Sequence, residues 1–473
     1  MITRIEAYRY RCFQRLNLAL DKFQVFVGPN GAGKTTLLDI PIVLGEMLSA
    51  RSIEKAFFKD TPTHPRARAD YAGELIYKRA GNNFVLVVEA NLPESIVAEL
   101  LEKQATRLSP RSVEKLRASP QHWFTRIRYE IEFELFNDAL QIGQEYLLLL
   151  SDSAESKRHD LIGTETLDPL TLVLSENASS TKVVFGGLIG ESLPPASRSI
   201  VPIISRPRGG KVTFRPEAEA RGPRNEYGFP VTEPAFANVF ADRSRYGASL
   251  WLRDLLTSEA CAYQPSFAVL RTPQPRIQQP AVVRDAATLA WLAEQLEKPT
   301  EAEKASKRPK HSRSRAFEHW ERVARLALPG LVRIEPVVRK DDKQAYLRLH
   351  YRNGAEVPAS GLSDGTLTIL ALTILSFLPA TPAFLTYEEP ENGVHPKGIE
   401  ILLESLQSVH HSQVFVSTHS PLVLAQCEPT QIVCLSLDAE GAATAVRGDQ
   451  HPALVEWKES INLGTLLASG VLG

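Results

Sequence analysis

Residues Gly28, Pro29, Asn30, Gly31, Ala32, Gly33, Lys34 and Thr35 match the pattern G-x-x-x-x-G-K-[ST] at every position. No other feature of the chain constrains its fold as strongly. The loop needs a strand before it and a helix after it, and both patterns are present. The apolar run Phe23, Gln24, Val25, Phe26, Val27 precedes it, and a helical pattern begins near Lys34. Glycine lets successive backbone N–H groups turn inward around phosphate oxygens, and the helix adds the positive end of its dipole. Asn30, Gly31, Ala32, Gly33, Lys34, Thr35 and Thr36 are therefore the expected phosphate cradle. Lys34 supplies a point charge to the β and γ phosphates, and the Thr35 hydroxyl suits Mg²⁺. The implied cofactors are ATP and Mg²⁺. A glycine turn without a ligand would not require this context.

Three further segments fit around that loop. Phe384, Leu385, Thr386, Tyr387, Glu388, Glu389 read as a buried strand ending in two carboxylates. At the C-terminal edge of a parallel sheet such residues face the ligand crevice. Glu388 is the expected metal residue, and Glu389 the expected residue that orients or deprotonates the attacking water. Val414, Phe415, Val416, Ser417, Thr418, His419 form a second β-rich run that ends in a histidine, here taken with Glu389 as catalytic. Ser363, Asp364 and Gly365 open an apolar helical pattern. They form either a second anion-binding helix N-terminus or a plain N-cap.

In this order the four segments resemble those of the ABC ATPase superfamily, and within it the RecF/OLD/SMC-like group of DNA-associated ATPases. Residues 28–35 look like the group's Walker A, 362–366 like its signature, 387–396 like its Walker B and D-loop, and 417–420 like its histidine switch. Tyr10, Arg11, Cys12 and Phe13 resemble the aromatic-basic segment before the P-loop, and residues 463–473 look like the tail of stand-alone ATPases of bacterial defence operons. The resemblance covers roughly residues 1–95 and 330–473. It implies an α/β fold: an ABC head with a mainly parallel core sheet, an antiparallel β subdomain and an inserted mixed α/β region. It also implies a homodimer or higher homo-oligomer, in which Ser363 and Gly365 of one subunit and the Walker A of the other clasp one ATP.

Three positions depart from the group's pattern. Glu388 stands where an aspartate is usual, and Thr368 where arginine is common. No glutamine occurs between Lys34 and Gln104, so the metal-sensing glutamine loop has no counterpart unless His64 or Asn83 substitutes.

The rest of the chain is read more coarsely. Strands are expected at 2–8, 15–20 and 23–27, and a hairpin of 74–78 with 84–89. A strand over 127–135 alternates apolar and charged residues, which predicts one buried and one wet face. Helical patterns cover 94–118, broken at Pro110, then 249–258, 286–297 and 316–328, and strands resume at 332–338 and 345–351. The stretch 365–387 lacks charge, but Pro379 and Pro382 make it a helix, a turn and a strand rather than a membrane span. Pro, Gly and Arg rise through the middle, so the expected division is 1–150 and 330–473 as halves of one head, with 151–329 inserted.

A net charge of −1 excludes a generally basic surface. Local DNA contact remains possible through Arg206, Arg208, Lys211, Arg215, Arg221 and Arg224, or through Lys304, Lys307, Arg308, Lys310, Arg313 and Arg315. Solvated loops are the plainer reading of both runs. The charged N-terminus and four scattered cysteines point to the cytoplasm and to no membrane. About fifty residues follow His419, too few for an added TOPRIM nuclease of usual domain size. A separate effector, a nuclease or TOPRIM-like protein, is the expected partner. A RecF-like repair factor, a nuclease and a transporter subunit are the competing readings.

Overall fold

A computed structural model describes residues 1–61, 66–106, 108–152, 200–217, 225–305, 313–455 and 463–468. His64, Arg221, Arg224, Lys307, Arg308, Lys310 and residues 469–473 lie outside these. Three strands open the chain: β1 (Ile2–Tyr10), β2 (Phe13–Ala19) and β3 (Phe23–Val27). Two compact units form. One comprises Met1–Asp21, Gly31–Glu259 and Ser436–Ala445; the other comprises Lys22–Asn30, Ala260–Leu435 and Val446–Gly473.

The first unit is built on an eight-stranded antiparallel sheet. Its later strands are β4 (Asn83–Asn91), β5 (Phe124–Phe136), β6 (Ala139–Ser151), β7 (Ile200–Arg206), β8 (Val212–Phe214) and β9 (Asn225–Tyr227), in the order β2-β1-β4-β5-β6-β7-β8-β9. Ile127, Tyr129, Ile131 and Phe133 of β5 are fully buried, as their alternation predicts. Phe133 stacks on Phe84 of β4 at 4.7 Å, with Phe57 edge-on to both.

Two sequence expectations fail in this unit. The hairpin of 74–78 with 84–89 does not form: Ala72–Leu75 and Tyr77–Arg79 are 3-10 turns, with Lys78 at φ 51°. Both edges of β4 are already paired, with β1 and with β5, which leaves no edge for a third partner. The charged face of β5 is not wet either. Arg128 and Glu130 are fully buried and Glu132 is 2% exposed. Arg128 donates to Glu6 (2.7 and 2.9 Å), Glu89 (3.2 Å) and Glu130 (2.5 Å). Alternation reports the sheet's two faces, but not what covers each.

The second unit is built on a mainly parallel six-stranded sheet, whose last strand belongs for three of its five residues to the first unit. Its strands are β10 (Ala260–Ala262), β14 (Phe384–Glu388), β15 (Gln413–Thr418), β3, β16 (Ile432–Leu437) and β17 (Ala443–Arg447), in the order β10-β14-β15-β3-β16-β17. The pairs β10–β14, β14–β15, β15–β3 and β3–β16 are parallel. Strands covered on both faces read as continuous apolar runs. All five residues of β3 are buried, and even Gln24 is enclosed, donating to the Thr430 carbonyl at 3.0 Å. The helices Asp364–Thr373 and Pro396–Gln407 bury Leu367, Leu370, Leu402 and Leu406 in the same core as Val25, Leu385 and Val416. A three-stranded antiparallel sheet, β11 (Leu331–Val338), β12 (Ala345–Tyr351) and β13 (Glu356–Pro358), completes the unit. The helices Leu289–Glu297 and Arg315–Ala327 fall where the apolar periodicity places them. Among the described residues no helix is long and apolar enough to cross a membrane.

Candidate nucleotide site

Register along the parallel sheet sets the site's floor. Thr418 pairs with Val27, and Ser417 with Glu388, so β3, β14 and β15 end at one edge of the second unit. Each strand is followed there by one of the expected motifs: Gly28, Pro29 and Asn30 after β3, Glu389 after β14, and His419 after β15. The division between the units falls inside the P-loop, after Asn30.

Glu388 ends its strand exposed to solvent. At Glu389 the backbone turns left-handed, with φ 52°, and its N–H donates to the Ser417 carbonyl at 2.8 Å. A glutamate seldom adopts this conformation, and such strain persists only where its surroundings impose it. The turn carries the Glu389 carboxylate off the strand line. Its Oε1 lies 3.6 Å from His419 Nε2, and its Oε2 accepts from Asn392 Nδ2 at 2.6 Å. Glu391, two residues on, accepts at Oε1 from the Thr418 hydroxyl (2.5 Å) and the His419 N–H (3.3 Å).

The signature segment belongs to the same unit. Ser363 caps the helix Asp364–Thr373, its hydroxyl accepting from the Thr366 N–H at 3.3 Å. The N-cap reading of this segment therefore holds, and the capping residue Ser363 is exposed. Gly365 is required by close approach, since a Cβ there would stand 1.9 Å from the Gly393 carbonyl oxygen. Arg271 donates to the Asp364 carboxylate (2.5 Å) and to the Leu362 carbonyl (3.0 Å). Thr368 is buried, and its hydroxyl donates to the Asp364 carbonyl at 3.0 Å. It also bonds Tyr387, whose hydroxyl burial pushes up to about 12.

In the first unit the loop runs into the helix Lys34–Ala50. Gly33 is its N-cap at φ 92°, and no side chain caps the helix. A Cβ on Gly33 would stand 2.7 Å from Cys12 Sγ and 2.8 Å from the Phe13 ring, so the segment before the loop packs against it. Burial raises the Cys12 thiol, which is hydrogen-bonded to Thr36. Lys34 is 8% exposed, Ala32 is buried, and Asn30, Gly31 and Thr35 are exposed. Space beyond Gly31 is open, with nothing within 4 Å of where a Cβ would be. Arg68 braces the helix from outside, donating to Asp39 (2.7 Å twice) and to Glu46 (2.5 Å).

These features fit a nucleotide triphosphate. The uncapped helix N-terminus and open glycine loop suit phosphate oxygens. The Thr35 hydroxyl of the first unit and the strand-end Glu388 carboxylate of the second are each an oxygen ligand of a kind that Mg²⁺ takes, and Mg²⁺ binds through few protein ligands and keeps several waters. Of the two stand-ins for the glutamine loop, Asn83 is buried and donates to Glu132 at 2.8 Å, within the antiparallel sheet.

Several residues of the site escaped sequence reading. Glu391 and Asn392 act through contacts that exist only because β14 and β15 are neighbours, and Arg271 reaches a residue 93 positions away. The basic residues of the middle were legible as residues but not as partners. Arg206 is buried and bonds the Phe229, Pro230 and Glu233 carbonyls. Arg208 pairs with Glu132 and Glu134, and Arg313 with Glu297 and Glu321. These side chains are committed within the fold.

Residues 264–425 match the family described as AAA domain, putative AbiEii toxin, Type IV TA system. This span includes Ser363, Glu388, Glu389 and His419. No curated protein matches the sequence. Among solved structures, the chain is similar to an Smc head bound to the C-winged helix domain of ScpA, with 10% identity, 94% of this chain and 96% of that one covered, and a TM-score of 0.41. It is also similar to an Smc head with an extended coiled coil bound to the C-terminal domain of ScpA from Pyrococcus furiosus, with 13% identity, coverage of 94% and 95%, and a TM-score of 0.40. A third is the SMC head from Thermotoga maritima, with 10% identity, coverage of 94% and 98%, and a TM-score of 0.37.

Proposed function

We propose that this chain, whose residues 264–425 match an AAA domain, is an ATPase of the ABC/AAA type that binds and hydrolyses ATP, associates through shared nucleotide, and thereby controls a separate effector. The observation that carries the reading is the placement of Glu389 beside His419, at the same sheet edge from which the P-loop departs. Lys34 and the loop N–H groups hold the phosphates. Glu389 accepts a proton from the attacking water or orients it, and His419, at its side, donates to the γ-phosphate or bonds that water. Thr35 and Glu388 would hold Mg²⁺, which would supply neutralisation of the phosphate charge. Ser363, exposed at a helix N-terminus, and Gly365, buried behind it, would meet the γ-phosphate of a second subunit's nucleotide. Residues 1–150 and 330–473 form the head in this reading, with 151–329 inserted into it.

The defence setting rests on the matched family's description as a putative toxin of a type IV toxin–antitoxin system. The effector is then a nuclease or TOPRIM-like protein of a prokaryotic anti-phage operon, and the chain acts in the cytoplasm. An ATP-driven two-state head is useful only when something reads its state. The test has two parts. ATP turnover by the purified chain is measured with and without Mg²⁺, and no turnover would sink the enzyme reading. DNA cleavage is then measured with the chain alone and with the product of its neighbouring gene. Metal-dependent cleavage by the chain alone would overturn the separate effector.

A further inference from the structure

The four residues from Glu389 to Asn392 hold both members of the carboxylate–imidazole pair. Asn392 bonds the Glu389 side chain at 2.6 Å, and the Asn392 N–H donates to the Glu389 carbonyl at 3.1 Å. Glu391 faces the other way, toward the end of β15. Its Oε1 accepts from the Thr418 hydroxyl at 2.5 Å and from the His419 N–H at 3.3 Å. Thr418 is fully buried, and its hydroxyl in turn accepts from the Ser420 N–H at 2.9 Å. Three consecutive residues of the histidine loop are thus tied, directly or through one hydroxyl, to a single carboxylate oxygen. The other oxygen, Oε2, is buried with no hydrogen-bond partner among the described residues. A buried acceptor left unpaired is unfavourable, and such groups call for a reason beyond stability.

We propose that Glu391 is a positioning residue of the hydrolytic site. Its Oε1 fixes the backbone of residues 418–420 so that the imidazole of His419 stands beside Glu389. Asn392 fixes the carboxylate from the same turn, so a movement of this one turn shifts both groups together. Glu391 itself touches neither nucleotide nor water in this role. The inference rests on the hydrolysis reading above and assigns a part to a residue which that reading leaves idle.

The test compares turnover and ATP affinity in Glu391→Ala, Glu391→Asp, Glu391→Gln and Thr418→Val, each checked for an unchanged melting temperature. Misplacement of a reacting group by about 1 Å lowers rate far more than binding, by up to roughly 10²-fold. Glu391→Ala should therefore turn over ATP about tenfold or more slowly, with its calorimetric affinity for ATP unchanged. Glu391→Asp keeps the charge but loses reach, and should fall with it. Glu391→Gln keeps an acceptor oxygen and should stay near wild type. Thr418→Val removes the donor, and Thr418→Val with Glu391→Ala should be no slower than the slower single variant. Turnover unchanged in Glu391→Ala, a loss of affinity in place of rate, or effects that multiply in the double variant would each overturn the proposal. If the wild-type chain binds ATP but never hydrolyses it, the hydrolysis reading fails instead. The tie is then read from the ring resonances of His419 by NMR, assigned with His419→Ala. A shift in Glu391→Ala and Thr418→Val but not in Glu391→Gln upholds it, and unmoved resonances in all three reject it.

Discussion

The Glu389 carboxylate lies 3.6 Å from the His419 imidazole, although the two residues follow different strands and are thirty positions apart in sequence. Parallel pairing of β14 with β15 brings them together, and the left-handed turn at Glu389 completes the approach. The neighbouring Glu388 is exposed at its strand end.

That difference predicts separable defects. Glu389→Gln should lower turnover by on the order of 10²-fold or more while ATP stays bound, because phosphate contacts remain and only the handling of water fails. Glu388→Gln should instead weaken the dependence of ATP binding on Mg²⁺. Turnover assays and calorimetry over a Mg²⁺ series read the two effects. Reversal of the pattern would exchange the roles of the two glutamates.

Lys34 sits at the first turn of the P-loop helix and is only 8% exposed. Lys34→Ala removes the side-chain cation from a cradle otherwise made of backbone. We expect ATP affinity to fall by an order of magnitude or more, from loss of a charge-assisted contact of about 1.5–3 kcal/mol. Calorimetry showing wild-type affinity would remove the support for a nucleotide-binding loop.

Arg271 and Asp364 form an ion pair at 2.5 Å beside the exposed cap residue Ser363. A carboxylate at that helix end repels a phosphate, and the guanidinium offsets it. Arg271→Ala should therefore weaken ATP-driven association, and adding Asp364→Asn should restore much of it. Ser363→Arg, which puts bulk and charge on the cap, should abolish association. Sedimentation with ATP and Mg²⁺ in the Glu389→Gln background measures all three. Equal dimer content across the series would refute a nucleotide-clasped interface.

Arg128 is fully buried with Glu6, Glu89 and Glu130 around it. Burial works against its charge, but Glu6 and Glu130 outweigh it and keep the guanidinium protonated. Arg128→Met would leave carboxylates buried without their counter-ion, at a cost of about 3–5 kcal/mol. A urea melt should show that loss in the antiparallel unit. A variant as stable as wild type would mean that the carboxylates take up protons or water at little cost.

The sequence by itself determined the local chemistry. A strand of five apolar residues, a glycine loop with Lys34 and Thr35, and a helix after it are dictated by neighbours in the chain. The same holds for the cap at Ser363 and for strands that end at Glu388 and Thr418. Steric limits on the backbone, hydrogen bonding at helix ends and apolar periodicity act over a few residues, so they can be read without the fold. Only the tertiary structure decided which ends meet. β15 rather than β14 lies beside β3, which puts Thr418 and His419 next to the P-loop strand, and its pairing with β14 brings Glu391 to the Thr418 hydroxyl. It also decided that the charged face of β5 is covered, that β4 has no edge left for residues 74–78, and that Arg206 and Arg313 turn inward. Strand order, burial and ion pairing depend on segments far apart in sequence. A side chain carries no local mark of the partner it will meet.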